Sequence, residues 1–321
     1  VESVAGYARA LRDAGRADAA VAMLEVAEAL GYRMTDKDRK FLDEHPVRRL
    51  AADEGYRGHV DHIDRAALIR DRDDQPMAEL LGALWEAAAL LWSEPEDALE
   101  RCGVIGARRV GGGTTLRAAS MFPRVAAALE IGATFLYATD TPDAPDVRVV
   151  CVSTPIVVLG PRMTGIEEGI GEGDMRFLLG RAAELARPER VIAVGLPRDD
   201  LDSLLGSLWR VFGAGSAPPD DAARHHDEIL RTTLPVKLRS RMTELLKQLA
   251  RSQLDADRFL DACQRSADRA GLLAAGDLGT AVRLAGSTSR DGRRQTRHLI
   301  ECALSPRYLP VRARLGVGAV K

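Results

Sequence analysis

Six histidines and four cysteines are the residues best suited to chemistry in this chain of 321. His59 and His62, in GHVDHIDR, stand three apart with Asp61 and Asp64 beside them. Two imidazoles one helical turn apart can grip one side of a metal ion, but zinc needs three or four ligands and no third is identifiable. A solvated helix face is therefore expected there. His225 and His226 are adjacent and point in different directions, and His298 is expected at a surface or a cap. Cys102, Cys151, Cys263 and Cys302 lie far apart with no C-x-x-C, so free, mostly buried thiols in a reducing compartment are expected. VGGGTTLRAAS (110–120) is a glycine-rich turn before a helix, and helix N-termini attract phosphate. It lacks the lysine of a P-loop and the G-x-G-x-x-G pattern, so an open loop with Thr114 or Thr115 capping the helix is expected. SRDGRRQTR (289–297) is the densest basic stretch, carries no aromatic residue for base stacking, and reads as a solvated loop. No G-x-S-x-G occurs.

The stretch FLLGRAAELARPER (177–190) poses a different question. It has the rhythm of a metal-binding helix yet contains no histidine. The elements that must position it follow from periodicity. Val4, Tyr7, Ala8 and Leu11, then Ala20, Leu24 and Ala27, predict two helices about Gly15. Thr35 predicts a cap for a helix ending near Asp43. QPMAELLGALWEAAALLW (75–92) predicts a buried core helix with Pro76 in its first turn. TFLYAT (134–139), VRVVCVS (147–153) and PIVVLG (155–160) predict strands, with ARRV (107–110) before them. From about 174 the pattern is helical again. Helices, then a small sheet, then helices make the fold class α+β, mostly helical.

Composition limits the functions. Hydrophobic residues are 46 % and the net charge is -2, which supports a sizeable core and argues against a general nucleic-acid binder. Of the 45 basic residues only Lys37, Lys40, Lys237, Lys247 and Lys321 are lysine, a bias read as genomic rather than functional. No run of about 18 apolar residues is present, so no membrane span is expected. The opening Val1, not methionine, is what a piece of a longer chain would give, and a cytoplasmic setting is expected.

FLLGRAAELARPER resembles the F-x-x-G-H-E-x-x-H-x-x-P-E frame of zincin metallopeptidases, in particular the HtpX-like and CAAX-prenyl-protease-like group. Gly180 and Pro188 fall in register. The two histidine positions are then Arg181 and Leu185, and the general-base position is Ala182. Downstream, QRSADRAGLLAAGD (264–277) resembles the third-ligand helix, with Ala267, Asp268, Arg269 and Gly271 matching and Gln264 at the ligand position. Arginine has no lone pair for a cation, leucine and alanine cannot ligate, and one neutral oxygen from Gln264 does not make a zinc site. Glu184, the nearest acid, is turned about 100° from the second histidine position. Arg181 and Asp268 are candidates for a buried ion pair at this place, with a surface role for Arg181 the alternative. The resemblance covers about 105–285.

The first helix pair resembles one tetratricopeptide repeat, a unit that normally stacks on neighbours. Together the two resemblances are similar to degenerate peptidase domains that follow such repeats in large bacterial proteins. They imply a tetratricopeptide-like pair at 1–34, a helical segment at 35–104 packing on the core, and a degenerate zincin-like domain with a small mixed sheet at 105–321. The implied function is a non-catalytic interaction or scaffolding module with no cofactor, no metal, no catalytic residue and a protein partner of unknown identity. Because a zincin presents a strand edge to its substrate, the residues expected on a peptide-binding edge are Val149, Cys151, Ser153, Ile156 and Val158. The alternatives are a hydrolase with an unrecognised site and a nucleotide-binding regulator using Gly111, Gly112 and Gly113.

Overall fold

The computed structural model describes residues 2–48, 50, 53–72, 75–87, 92–165, 170–213, 221–249, 254–287 and 292–318. Helices α1 (Glu2–Asp13) and α2 (Ala17–Ala29) flank Gly15, whose φ of 72° makes the turn between them. Helix α3 (Asp36–Glu44) begins where Thr35 Oγ1 accepts the Asp38 N–H at 3.2 Å, as the sequence predicts. The chain from 45 to 61 is then largely irregular. His59 consequently lies outside any helix, while His62 opens the single turn α4 (His62–Asp64), which runs on into a π-helical turn at Arg65–Ile69. Helices α5 (Gln75–Ala87) and α6 (Pro95–Arg101) follow. The expected continuation of α5 through 88–91 lies outside the described residues.

The middle of the chain supplies β1 (Arg108–Arg109), α7 (Arg117–Ala128), β2 (Phe135–Ala138), β3 (Val147–Val150) and β4 (Ile156–Leu159). Then come α8 (Pro161–Thr164), α9 (Glu172–Leu185), α10 (Pro188–Gly195), α11 (Arg198–Phe212), α12 (Asp221–Thr232) and α13 (Val236–Gln248). The chain closes with α14 (Ala256–Ala275), α15 (Leu278–Ser287), α16 (Gly292–Ala303) and α17 (Tyr308–Leu315). The basic stretch read as a loop is helical from Gly292, because Leu299, Cys302 and Ala303 further along form a buried stripe that holds the helix to the core.

The sheet has the order β1-β2-β4-β3. β1 is antiparallel to β2, β2 is parallel to β4, and β3 is antiparallel to β4. Period-two alternation divides its side chains between two cores. Val149, Cys151, Val157 and Leu159 join the main core, and Val150, Val152, Ile156 and Val158 join a smaller one closed by Ala98, Leu99, Cys102 and Val104. Burial on both faces explains why PIVVLG reads as a continuous apolar run.

Helix α9 is central, touching α7, α10, α14, α15 and β3. Its contact with α14 depends on two glycines. A Cβ on Gly180 would come within 2.7 Å of the Ala274 Cβ and 3.0 Å of the Gly271 Cα. A Cβ on Gly271 would come within 2.7 Å of the Phe177 ring and carbonyl oxygen. Removing both methyls lets the helices approach and seals Phe177 completely, a burial contributing roughly 1.5–3 kcal/mol.

The main core is continuous from Ala8 to Val317. Residues 1–34, 35–104 and 105–321 all contribute to it. Helix α2 sits on α15, α16 and α17, where Arg312 Nη1 lies 3.1 Å from Glu25 Oε2 and Arg312 Nε lies 3.3 Å from Asp18 Oδ1.

Candidate functional site: a groove between the sheet edge and two helices

Leu178, Arg181, Ala182 and Leu185 fall at i, i+3, i+4 and i+7 of α9 and so share one face. That face opens on a cavity of about 350 Å³, closed opposite by Val147 and Val149 of β3 and by Gln264 of α14. The positions at 181, 182, 185 and 264, distant in sequence, therefore line one space.

Arg181 crosses between the two helices. Its Nη2 donates to Gln264 Oε1 at 2.6 Å. Its Nε lies 2.8 Å from Asp268 Oδ1, an ion pair too far off line to be a hydrogen bond. Gln264 and Asp268 are one turn apart on α14, so both reach the same guanidinium. Asp268 is 1 % exposed, which makes the pair buried, one of the two arrangements the sequence allowed for Arg181. His298, expected at a surface or a cap, is instead buried within α16 with Nε2 3.4 Å from Asp268 Oδ2. Among the described residues neither ring nitrogen has a hydrogen-bond partner. Its place was legible in principle, since His298, Leu299 and Cys302 follow the apolar periodicity of α16, but a basic approach masked that signal.

Glu184 faces away from the cavity into a cluster of arginines. Its Oε1 lies 2.7 Å from both Arg65 Nη2 and Arg190 Nη1, and its Oε2 lies 2.8 Å from Arg187 Nε. Arg65 Nη2 also reaches Glu189 Oε1 at 2.5 Å. Burial alone would raise the Glu184 pKa, but Arg190, Arg65 and Arg187 outweigh it and bring the carboxyl down to about 2. A base that weak, turned from the cavity, cannot activate water there.

The edge expectation needs correction. Ile156 and Val158 lie on β4, which pairs with β2 on one side and β3 on the other, and thus present no free edge. Ser153 lies in the bend between β3 and β4. The Cys151 N–H is taken by Gly195 O at 3.0 Å, from the end of α10. The edge strand on this side is β3. Gly160 N–H bonds Asp146 O, so the alternation of an antiparallel pair turns the backbone groups of Arg148 toward β4 and those of Val147 and Val149 outward. Among the described residues these outward groups have no backbone partner. The sequence did not separate β3 from β4, because both are short, apolar and β-branched.

The other candidates do not converge. All four cysteines are buried thiols outside any disulfide among the described residues, as expected. Burial pushes the Cys302 thiol up to about 12 and raises Cys102 and Cys151 as well, which suits packing rather than nucleophilic attack. His59 Nε2 lies 3.3 Å from Glu130 Oε1, and His226 Nδ1 lies 3.2 Å from Ser203 Oγ, while the side chain of His225 lies outside the described residues. Among the described residues a Cβ on Gly111, Gly112 or Gly113 would meet nothing within 4 Å, and α7 is capped at Leu116 without a side-chain bond. Thr114 accepts the Leu116 N–H at 3.3 Å, a local turn in place of the expected helix cap. Among the described residues no three of His, Cys, Asp and Glu are grouped as metal ligands, and no helix is long and apolar enough to cross a membrane.

Fold and site together define a mostly helical α+β protein with a small mixed sheet and a groove along one sheet edge. Comparison with family models, with characterised proteins and with solved structures gave no match.

Proposed function

We propose that this chain is a non-catalytic peptide-binding module built on a degenerate zincin-like frame. One observation carries the reading: the frame's ligand and base positions, Arg181, Ala182, Leu185 and Gln264, line one cavity against the outward edge of β3. An extended peptide can add to a strand edge through backbone hydrogen bonds, which requires no metal. The side chains at these four positions cannot hold or deprotonate a water for hydrolysis. The frame residues that persist have a packing reason to do so. Gly180 and Gly271 permit the contact of α9 with α14, and Asp268 balances Arg181.

The α1–α2 hairpin fits the same reading as a tetratricopeptide-like unit seated on the domain, within a larger, repeat-containing bacterial scaffold. The test is peptide binding by the whole chain and by Val149→Pro. This substitution deletes an outward donor without removing a rung between β3 and β4. Peptides from a random extended library should bind the parent chain and lose at least about tenfold in affinity to a Val149→Pro chain that melts as a folded protein. Equal binding would refute the groove. Stoichiometric zinc together with chelator-sensitive casein cleavage would favour a hydrolase.

A further inference from the structure

We infer that the groove selects an extended segment carrying a glutamate or aspartate side chain, with Arg181 as the receptor for its carboxylate. The inference rests on the groove reading above and names its partner.

The usable edge is short. Cys151 has given its N–H to Gly195, and Pro145, two residues before Val147, has none to give. A ligand strand can therefore pair only at Val147 and Val149, through up to four backbone hydrogen bonds. Such a ladder specifies direction and register but gives little selectivity, which must come from side chains. In an antiparallel or parallel ladder the residue opposite Val147 or Val149 projects its side chain to the same face as that valine. That face is the cavity wall, and Val147 and Val149 line it together with Arg181 and Gln264. A ligand side chain at this register is thus aimed at the guanidinium. A chain-terminal carboxylate would lie in the plane of the sheet and point along the strand, so the geometry favours the side chain.

Arg181 is prepared for the task. Asp268 and Gln264 fix two edges of its fork, at Nε and Nη2, while Nη1 has no partner among the described residues. Its side chain keeps 16 % exposure, against 2 % for Asp268 beneath it. The guanidinium is therefore oriented from below and open above, which lowers the entropy cost of binding a carboxylate. Leu178, Ala182 and Leu185 line the remainder of the cavity and would pack on the methylenes of the incoming side chain.

The probes are acetylated and amidated octapeptide pools rich in Val and Thr, with Glu, Gln or Lys fixed at the fourth position. They are titrated against the whole chain by fluorescence anisotropy, and hydrogen exchange is followed at the Val147 and Val149 amides. The Glu pool should bind at least about tenfold more tightly than the Gln pool and slow exchange at both amides. Leu185→Glu places a resident carboxylate in the cavity and leaves no buried charge unpaired, so it should bring the ratio of Glu-pool to Gln-pool affinity down to about one. Arg181→Gln should do the same. Equal binding of the Glu and Gln pools, with both lost in Val149→Pro, would overturn the carboxylate receptor and leave the groove standing. A Gln pool with a free C-terminus that matches the amidated Glu pool would also overturn it, in favour of a chain terminus. Failure of every pool to bind or to protect the two amides would remove both readings.

Discussion

Two buried carboxylates in this molecule have opposite fates. Glu184, on the central helix α9, meets Arg65, Arg187 and Arg190, and its pKa falls to about 2. Glu25, where the N-terminal hairpin meets α17, has Arg312 as its cation and shares it with Asp18, while Asp277 adds further negative charge. There burial dominates the attraction of Arg312 and raises the carboxyl to about 7. Both side chains are largely hidden, Glu184 completely and Glu25 to 12 % exposure. The difference lies in the supply of cations. Burial penalises an ionised acid in either place, and only a surplus of arginine reverses the penalty. The centre is tied by charges that are always on, and the hairpin is seated by one that titrates near neutrality.

The sharpest way to break this contrast is Glu184→Gln. It leaves three arginines around a neutral group, and the expected loss is about 3–5 kcal/mol in urea unfolding. A loss below about 1 kcal/mol would mean that water or Glu189 already neutralises the cluster.

The pH dependence of the two sites should also run in opposite senses. Glu184 has a lowered pKa, so its stabilisation is present above about pH 4.5 and is lost as pH falls toward 2. Its shift corresponds to something on the order of 3 kcal/mol. Glu25 has a raised pKa. The folded state then holds a proton that the unfolded chain has released, and stability should fall as pH rises from about 4.5 to 7 and level off above. Unfolding of the parent chain beside each Gln variant, at pH 3, 5 and 8, separates the two slopes.

Packing at the centre gives the next test. Gly271→Ala drives a methyl into Phe177 and should cost about 1–3 kcal/mol, since both helix backbones must shift. The smallest effect is expected at the hairpin. Glu25→Gln imitates the protonated acid and leaves Arg312 paired with Asp18, so at pH 5, below the folded pKa of about 7, stability should change by less than about 1 kcal/mol. A large loss at pH 5 would show that Glu25 is ionised there after all and that the contrast is overstated.

Much of the fold could be read from periodicity. The helix pair about Gly15, the Thr35 cap, the strands and the central helix all follow from short-range pattern. The juxtaposition of 181, 182, 185 and 264 was legible only through the spacing of two motifs, because nothing local in Gln264 indicates a neighbour on another helix. His298 was misread for a related reason. A run of arginines before it looks solvated, although the following turn is apolar. The order of the strands was not legible at all. VRVVCVS and PIVVLG have the same propensities, and which of them becomes the edge depends on β2 pairing with β4 rather than with β3.

The sequence by itself determined the helices, the strands, the lack of a zinc ligand set at 181, 182, 185 and 264, and the glycines that allow α9 and α14 to touch. These are properties of single residues and of spacing within a turn or two. Only the tertiary structure decided that Asp268 lies against Arg181, that His298 is buried beside Asp268, and that Glu184 collects three arginines while Glu25 finds one. Charge interactions in a buried environment depend on partners brought together by packing across long stretches of chain, and composition is silent about who those partners are.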